Sequence, residues 1–144
     1  DWLFSGKLIE FPRLKLAYSE AQIGWIPYAL ERADMVWDHH DSWMNTKARI
    51  PDPPSSYYWG RIYRCFTADR HGVKNHESVG EDHLCFETDY PHPICLYGDE
   101  VREKIDAAFG DLAPEVRDRV LFSNAAELYG VGAPDRPWEG ASRK

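Results

Sequence analysis

The sequence is short of several things, and each shortage closes off a class of function. No apolar run approaches the roughly 20 residues that a helix needs to span a bilayer. Basic charge is scarce: 17 Lys and Arg stand against 24 Asp and Glu, a net charge of −7. A general nucleic-acid binder needs a basic face to displace counterions, so nucleic acid is not an expected partner. Without a dense Lys/Arg block, neither is an anionic membrane. Cysteine is rare and odd in number: Cys65, Cys85 and Cys95, with no CxxC spacing. These read as reduced thiols in an intracellular, cytoplasmic protein. No secretory leader is visible. The sequence has no GxSxG, P-loop or GxGxxG, and His76-Glu77-Ser78-Val79-Gly80 lacks the second histidine of HExxH.

What is present suits one domain with a real core. The chain has 144 residues, 43% of them hydrophobic and 28% charged, ordinary proportions for a globular protein. Six Trp, eight Tyr and six Phe make it rich in aromatics, which supply buried area and often line clefts. Asp1-Trp2-Leu3-Phe4-Ser5-Gly6 starts without Met and as though already inside a helix. The expectation is a piece of a longer polypeptide.

Along the chain, residues 2–10 read as a short helix with Leu3, Phe4, Leu8 and Ile9 apolar, stopped by Pro12. Leu14 to Tyr18 reads as a strand. A long helix starts near Pro27, a residue tolerated in a first turn, and Ile26, Leu30, Ala33 and Trp37 recur as its buried stripe. Residues 44–56, with Pro51, Pro53 and Pro54, form an extended loop. Residues 61–67 read as a second strand and His83 to Glu87 as a third, with a short helix between them that Gly80 ends. Residues 90–98 are a loop. Helices follow at 99–109, 114–122 and 123–129, with Pro114 and Ser123 suited to beginning the last two. The domain is expected over 1–131, with a mobile tail over 132–144.

Each strand ends in a polar residue followed by an acidic one: Ser19-Glu20, Thr67-Ala68-Asp69 and Thr88-Asp89. Strand–helix alternation implies βαβ units and a parallel sheet, whose ligands meet the carboxyl ends of the strands. Glu20, Asp69 and Asp89 are therefore expected at one rim. Three parallel strands make a poor isolated domain, because parallel sheets are covered on both faces and avoid bare edges. The fold expected is α/β, about three eighths of a closed barrel.

The candidate chemistry follows from these strand ends. Asp89 is costly to bury unpaired, and a metal ion or cation removes that cost; the alternative is a turn-capping Asp before Pro91. His92 is a second ligand, a proton shuttle or a solvent-facing loop residue. Tyr90 packs or lines the pocket. Glu20 binds substrate, serves as acid or base, or complements the dipole of the next helix. Arg70 pairs with a substrate carboxylate or with Asp69, and His71 is a ligand, a shuttle or neither. Glu87 should form an ion pair with a helix. His39-His40-Asp41 lies at a helix end, where cationic histidines are favourable, and is not expected to bind metal.

Four stretches carry a family resemblance. They are Phe11-Pro12-Arg13-Leu14-Lys15-Leu16-Ala17-Tyr18-Ser19-Glu20, then Gly24-Trp25-Ile26-Pro27-Tyr28-Ala29-Leu30-Glu31-Arg32, then Phe86-Glu87-Thr88-Asp89-Tyr90-Pro91-His92, and Asn124-Ala125-Ala126-Glu127-Leu128-Tyr129-Gly130. In order and spacing over residues 3–131, the chain resembles the amidohydrolase-2 family of metal-dependent hydrolases, whose relatives include aminocarboxymuconate-semialdehyde-type decarboxylases. The resemblance implies strands six to eight of a (β/α)8 TIM-type barrel, the C-terminal portion. It implies a divalent metal, commonly zinc, faced by Asp89, and a closing helix from Asn124 to Gly130. Relatives with decarboxylase activity carry a histidine at the end of strand six, where this chain has Glu20. The family's other metal ligands, a His-x-His pair and a further histidine, are absent from these residues.

The expected activity is hydrolysis of a C–N or C–O bond in a small-molecule substrate by metal-activated water. Asp89 and Glu20 would be catalytic, and His92, Arg70, His71 and Tyr90 would contact substrate. A metal-assisted carboxy-lyase is one alternative, and an inactive structural or binding fragment is another. A homodimer of the full-length enzyme is a further expectation.

Overall fold

The structure, a computed structural model, describes residues 1–132. From residue 133 onward, the tail expected to be mobile lies outside the described residues. Three strands, β1 (Leu16–Tyr18), β2 (Ile62–Phe66) and β3 (Leu84–Phe86), form one sheet in the order β1-β2-β3. The helices are α1 (Lys7–Glu10), α2 (Ile26–His39), α3 (Asp41–Met44), α4 (Arg70–Lys74), α5 (His76–Val79), α6 (Asp99–Phe109), α7 (Pro114–Asp118) and α8 (Asn124–Tyr129). The α/β alternation read from the sequence is present, with shorter strands. The chain forms two compact units, Asp1–Leu16 with Trp25–Ile62, and Ala17–Gly24 with Tyr63 onward.

In the first unit, α2 begins with Pro27 in its first turn. Ile26 and Leu30 are buried as expected, whereas Ala33 and Trp37 are only partly so. Trp37 still anchors the following loop, its indole Nε1–H donating to the Ile50 carbonyl at 2.9 Å. That loop is less extended than its prolines imply. Pro54–Tyr57 form a 3-10 turn, and the Asp34 carboxylate accepts from Ser55 N–H (2.8 Å) and Oγ–H (2.6 Å). The single helix expected over 2–10 is divided. Gly6 takes φ 75° between a 3-10 turn at Trp2–Phe4 and α1, a conformation glycine adopts without Cβ strain. His39 and His40 end α2, and Asp41 Oδ1 accepts from Lys47 N–H at 2.7 Å, a structural use of that triplet.

In the second unit, β2 and β3 pair in parallel with Arg64 opposite Leu84, Cys65 opposite Cys85 and Phe66 opposite Phe86. Alternation puts Phe66 and Phe86 on one face. They meet Phe109 of α6 in edge-to-face contacts, with centroids 5.7–6.3 Å apart. Cys65 and Cys85 share the other face, and a thiol–thiol hydrogen bond with Cys65, with burial adding to it, pushes the Cys85 thiol well above its ordinary range. The Arg64 guanidinium lies 4.3 Å from the Tyr18 ring centre, a cation–π contact between β1 and β2. Ser123 does not begin a new helix. Its φ and ψ of −63° and −37° are helical, it makes no capping bond, and residues Arg119–Ser123 join α7 to α8 through a π-helical stretch.

Candidate functional site

All three strands run toward acidic residues, as the repeat predicts, but the three carboxylates have different fates. A cleft of about 450 Å³ is lined by Glu20 and Gln22 after β1, Thr67 and Ala68 after β2, Asp89, His92 and Ile94–Leu96 after β3, and Glu100 and Lys104 of α6. Glu20 and Asp89 thus reach one rim. Glu20 lies well before α2, whose first turn holds no acidic residue, so its reading as a helix-dipole carboxylate fails.

The backbone is bent to put them there. Glu20, Gln22 and Asp89 have φ of 55°, 51° and 58°. L-residues in this left-handed region are strained by roughly 1–3 kcal/mol each, and such strain persists where surrounding structure holds it. The turn after Asp89 is closed by its backbone, since His92 N–H donates to the Asp89 carbonyl at 2.9 Å. The carboxylate is left for a different partner: Asp89 Oδ2 lies 3.2 Å from His92 Nδ1, with the Asp side chain 20% and the His side chain 59% exposed. One end of this pair is sheltered and the other meets solvent.

Glu87 stands behind this pair. It accepts from the Glu20 backbone N–H, which ties the end of β1 to the end of β3, rather than forming the expected ion pair with a helix. Burial raises its carboxyl above the ordinary range, and the neighbouring Asp89 and Glu20 add to that rise against the opposing Glu20 N–H bond.

Asp69 is the departure. Neither an ion pair with Arg70 nor a place in the cleft describes it. Its Oδ2 accepts from Ile23 N–H (2.8 Å) and Gly24 N–H (2.6 Å), and its Oδ1 accepts from Gly72 N–H (2.8 Å), capping α4. Burial opposes its charge, but these three N–H groups and nearby His71 outweigh it and hold the carboxyl below its usual value. Arg70 and His71, exposed on α4, and Tyr90, exposed beside Asp89, are not brought to the cleft lining. Sequence reasoning missed Gln22, Glu100 and Lys104. Glu100 and Lys104, one helical turn apart, look in sequence like any solvated helix face.

The Amidohydrolase family matches residues 1–131. The chain belongs to that family. A comparison with curated proteins finds none that matches this amidohydrolase-family chain. Among solved structures, it is similar to 5-carboxyvanillate decarboxylase from Sphingomonas paucimobilis, with a TM-score of 0.72 and 21% identity over 90% of this chain and 38% of that one. It is also similar to a dihydroxybenzoic acid decarboxylase from Polaromonas sp. JS666, solved with manganese and the inhibitor 2-nitroresorcinol. There the TM-score is 0.64 and identity 20%, over 89% of this chain and 37% of that one. These likenesses show a shared fold, and this amidohydrolase-family chain spans under two fifths of the length of either structure.

Proposed function

We propose that these residues form strands six to eight of a (β/α)8-barrel enzyme dependent on a divalent metal, with Asp89 as its metal-facing carboxylate. The observation that carries this reading is Asp89 itself, held in a strained backbone at a strand end, in a cleft with Glu20 and paired with His92. The carboxylate oxygens present suit a hard divalent cation in kind. In number they do not make a site: among the described residues, no group of three or more His, Cys, Asp or Glu side chains could hold a metal ion. Asp89 is therefore one ligand, and the others come from outside these residues. A divalent cation supplies Lewis-acid activation when bound.

The chain's own residues handle the proton. In hydrolysis of a C–N or C–O bond, Asp89 takes the proton of the attacking water, and His92 passes it to solvent from its exposed ring. Glu20 orients the substrate or protonates the leaving group across the cleft. Arg70, His71 and Tyr90 are candidate contacts for a small-molecule substrate that extends beyond the cleft. Zinc, and a homodimer of the full-length enzyme, belong to the same proposal, checked by metal analysis and by sedimentation.

A second reading, metal-assisted loss of CO₂ from an aromatic or unsaturated acid, is favoured by the two similar solved structures, both decarboxylases. Parallel assays of CO₂ release and of amide or lactone hydrolysis by the full-length protein separate the readings. In that protein, Asp89→Asn should lower bound metal and reduce turnover by about 10²-fold or more. Unchanged metal content together with unchanged turnover sinks the assignment.

A further inference from the structure

The loop that presents Glu20 and Gln22 is fastened at both ends by carboxylates: Glu87 takes the Glu20 N–H, and Asp69 holds the far end. Both residues sit in the left-handed region, a conformation that needs an external hold. The two residues that follow, Ile23 and Gly24, give their N–H groups to Asp69 Oδ2, while Asp69 Oδ1 takes the N–H of Gly72. One side chain therefore joins the loop after β1 to the first turn of α4.

The fit leaves no spare room. A Cβ on Gly24 would lie 2.9 Å from Asp69 Oδ1 and 3.2 Å from Gly72 N. A Cβ on Gly72 would run into the Ile23 side chain, 2.8 Å from Cδ1, and into Gly24 N at 2.9 Å. Ile23 is fully buried, so the loop cannot slide outward without exposing it. Two glycines and an aspartate from separate segments meet in one backbone-to-backbone clamp. The loop it holds carries two strained residues that line the cleft.

We propose that Asp69 is a positioning residue, clamping the Glu20–Gly24 loop so that Glu20 and Gln22 face the cleft that holds Asp89. The functional half of this rests on the metal-dependent reading of that cleft; the clamp itself does not. Asp69 touches neither the cleft nor its contents and acts through the backbone.

Hydrogen–deuterium exchange on the full-length protein, read by mass spectrometry, tests the clamp. Asp69→Ala should speed exchange across residues 19–24 at least tenfold and leave residues 84–86 unchanged. Asp69→Asn keeps one acceptor oxygen and should fall between. Gly72→Ala, with Asp69 intact, should release the same loop. Unchanged exchange over 19–24 in a folded Asp69→Ala protein overturns the clamp. So does an equal rise everywhere in all three variants, which would mark a purely global stabiliser. Turnover of the full-length protein, in whichever assay the wild type supports (CO₂ release or hydrolysis), tests the functional half: kcat/KM should fall at least fivefold in Asp69→Ala while Mn²⁺ affinity, titrated by electron paramagnetic resonance, stays within twofold. A released loop with unchanged kcat/KM overturns the positioning role. Wild-type protein that binds no Mn²⁺ refutes the metal-dependent reading and with it the functional half, while the exchange result still decides the clamp.

Discussion

Asp69 and Glu87 follow neighbouring strands, and their surroundings pull their titrations in opposite directions. Asp69 is held below its usual value, so its charged form is bound more tightly in the folded state. Its contribution to stability is complete above about pH 4, the ordinary aspartate pKa, and is lost as pH falls through the lower folded value. Asp69→Asn should therefore destabilise the protein at pH 7 and lose that effect progressively as pH falls below about 4, as urea unfolding at several pH values would reveal. Glu87 is raised by burial and by the nearby carboxylates. Its charge costs stability once pH exceeds the folded value, and costs nothing below the ordinary glutamate pKa of about 4.3. Glu87→Gln keeps an acceptor for the Glu20 N–H and should stabilise the metal-free protein at pH 7, by on the order of 0.5 kcal/mol after solvent screening. At pH 4 the gain should vanish; a gain that persists there contradicts the assigned cause. In sequence both read as ion-pair partners, Asp69 with Arg70 and Glu87 with a helix. An Asp next to Arg and His reads as an ion pair, because nothing local shows that three backbone N–H groups from two segments converge on it.

At the scale of elements, the closing helix shows what a motif can and cannot reveal. Asn124 opens α8 and is 3% exposed. Its side-chain amide donates to the Glu81 and Leu84 carbonyls, both at 2.7 Å, tying the helix to the start of β3. Asn124→Ala leaves two buried carbonyls without these donors. It should cost about 2–4 kcal/mol, measured as a lower urea midpoint; a loss below about 0.5 kcal/mol would mean that water replaces the amide. The family resemblance marked this stretch as structural, and the structure supplies the reason. Helix α6 was legible to the residue, because Gly98 and Gly110 bracket an amphipathic run. The break expected at Ser123 was not: a serine marks a cap only where the chain leaves helical geometry, and here it does not.

At the scale of the whole molecule, the sheet order leaves β1 and β3 at its edges among the described residues. Unpaired strand edges recruit other strands. The 144-residue chain by itself should associate on sedimentation and show no turnover. A sharp monomer with cooperative melting, or turnover with stoichiometric metal, would contradict the barrel-portion reading. No helix among the described residues is long and apolar enough to cross a membrane.

The sequence by itself determined the α/β alternation, the acidic strand ends, the long helix after Gly24 and, through spaced motifs, the family. These depend on local periodicity, proline and glycine geometry, and residue order, all of which are written along the chain. Only the tertiary structure decided which acids share a cleft. Glu20 and Asp89 are 69 positions apart and meet at one rim, while Asp69 turns to bind backbone instead. That division rests on the convergence of N–H groups from distant segments, and on left-handed backbone at Glu20, Gln22 and Asp89 that no local propensity would select.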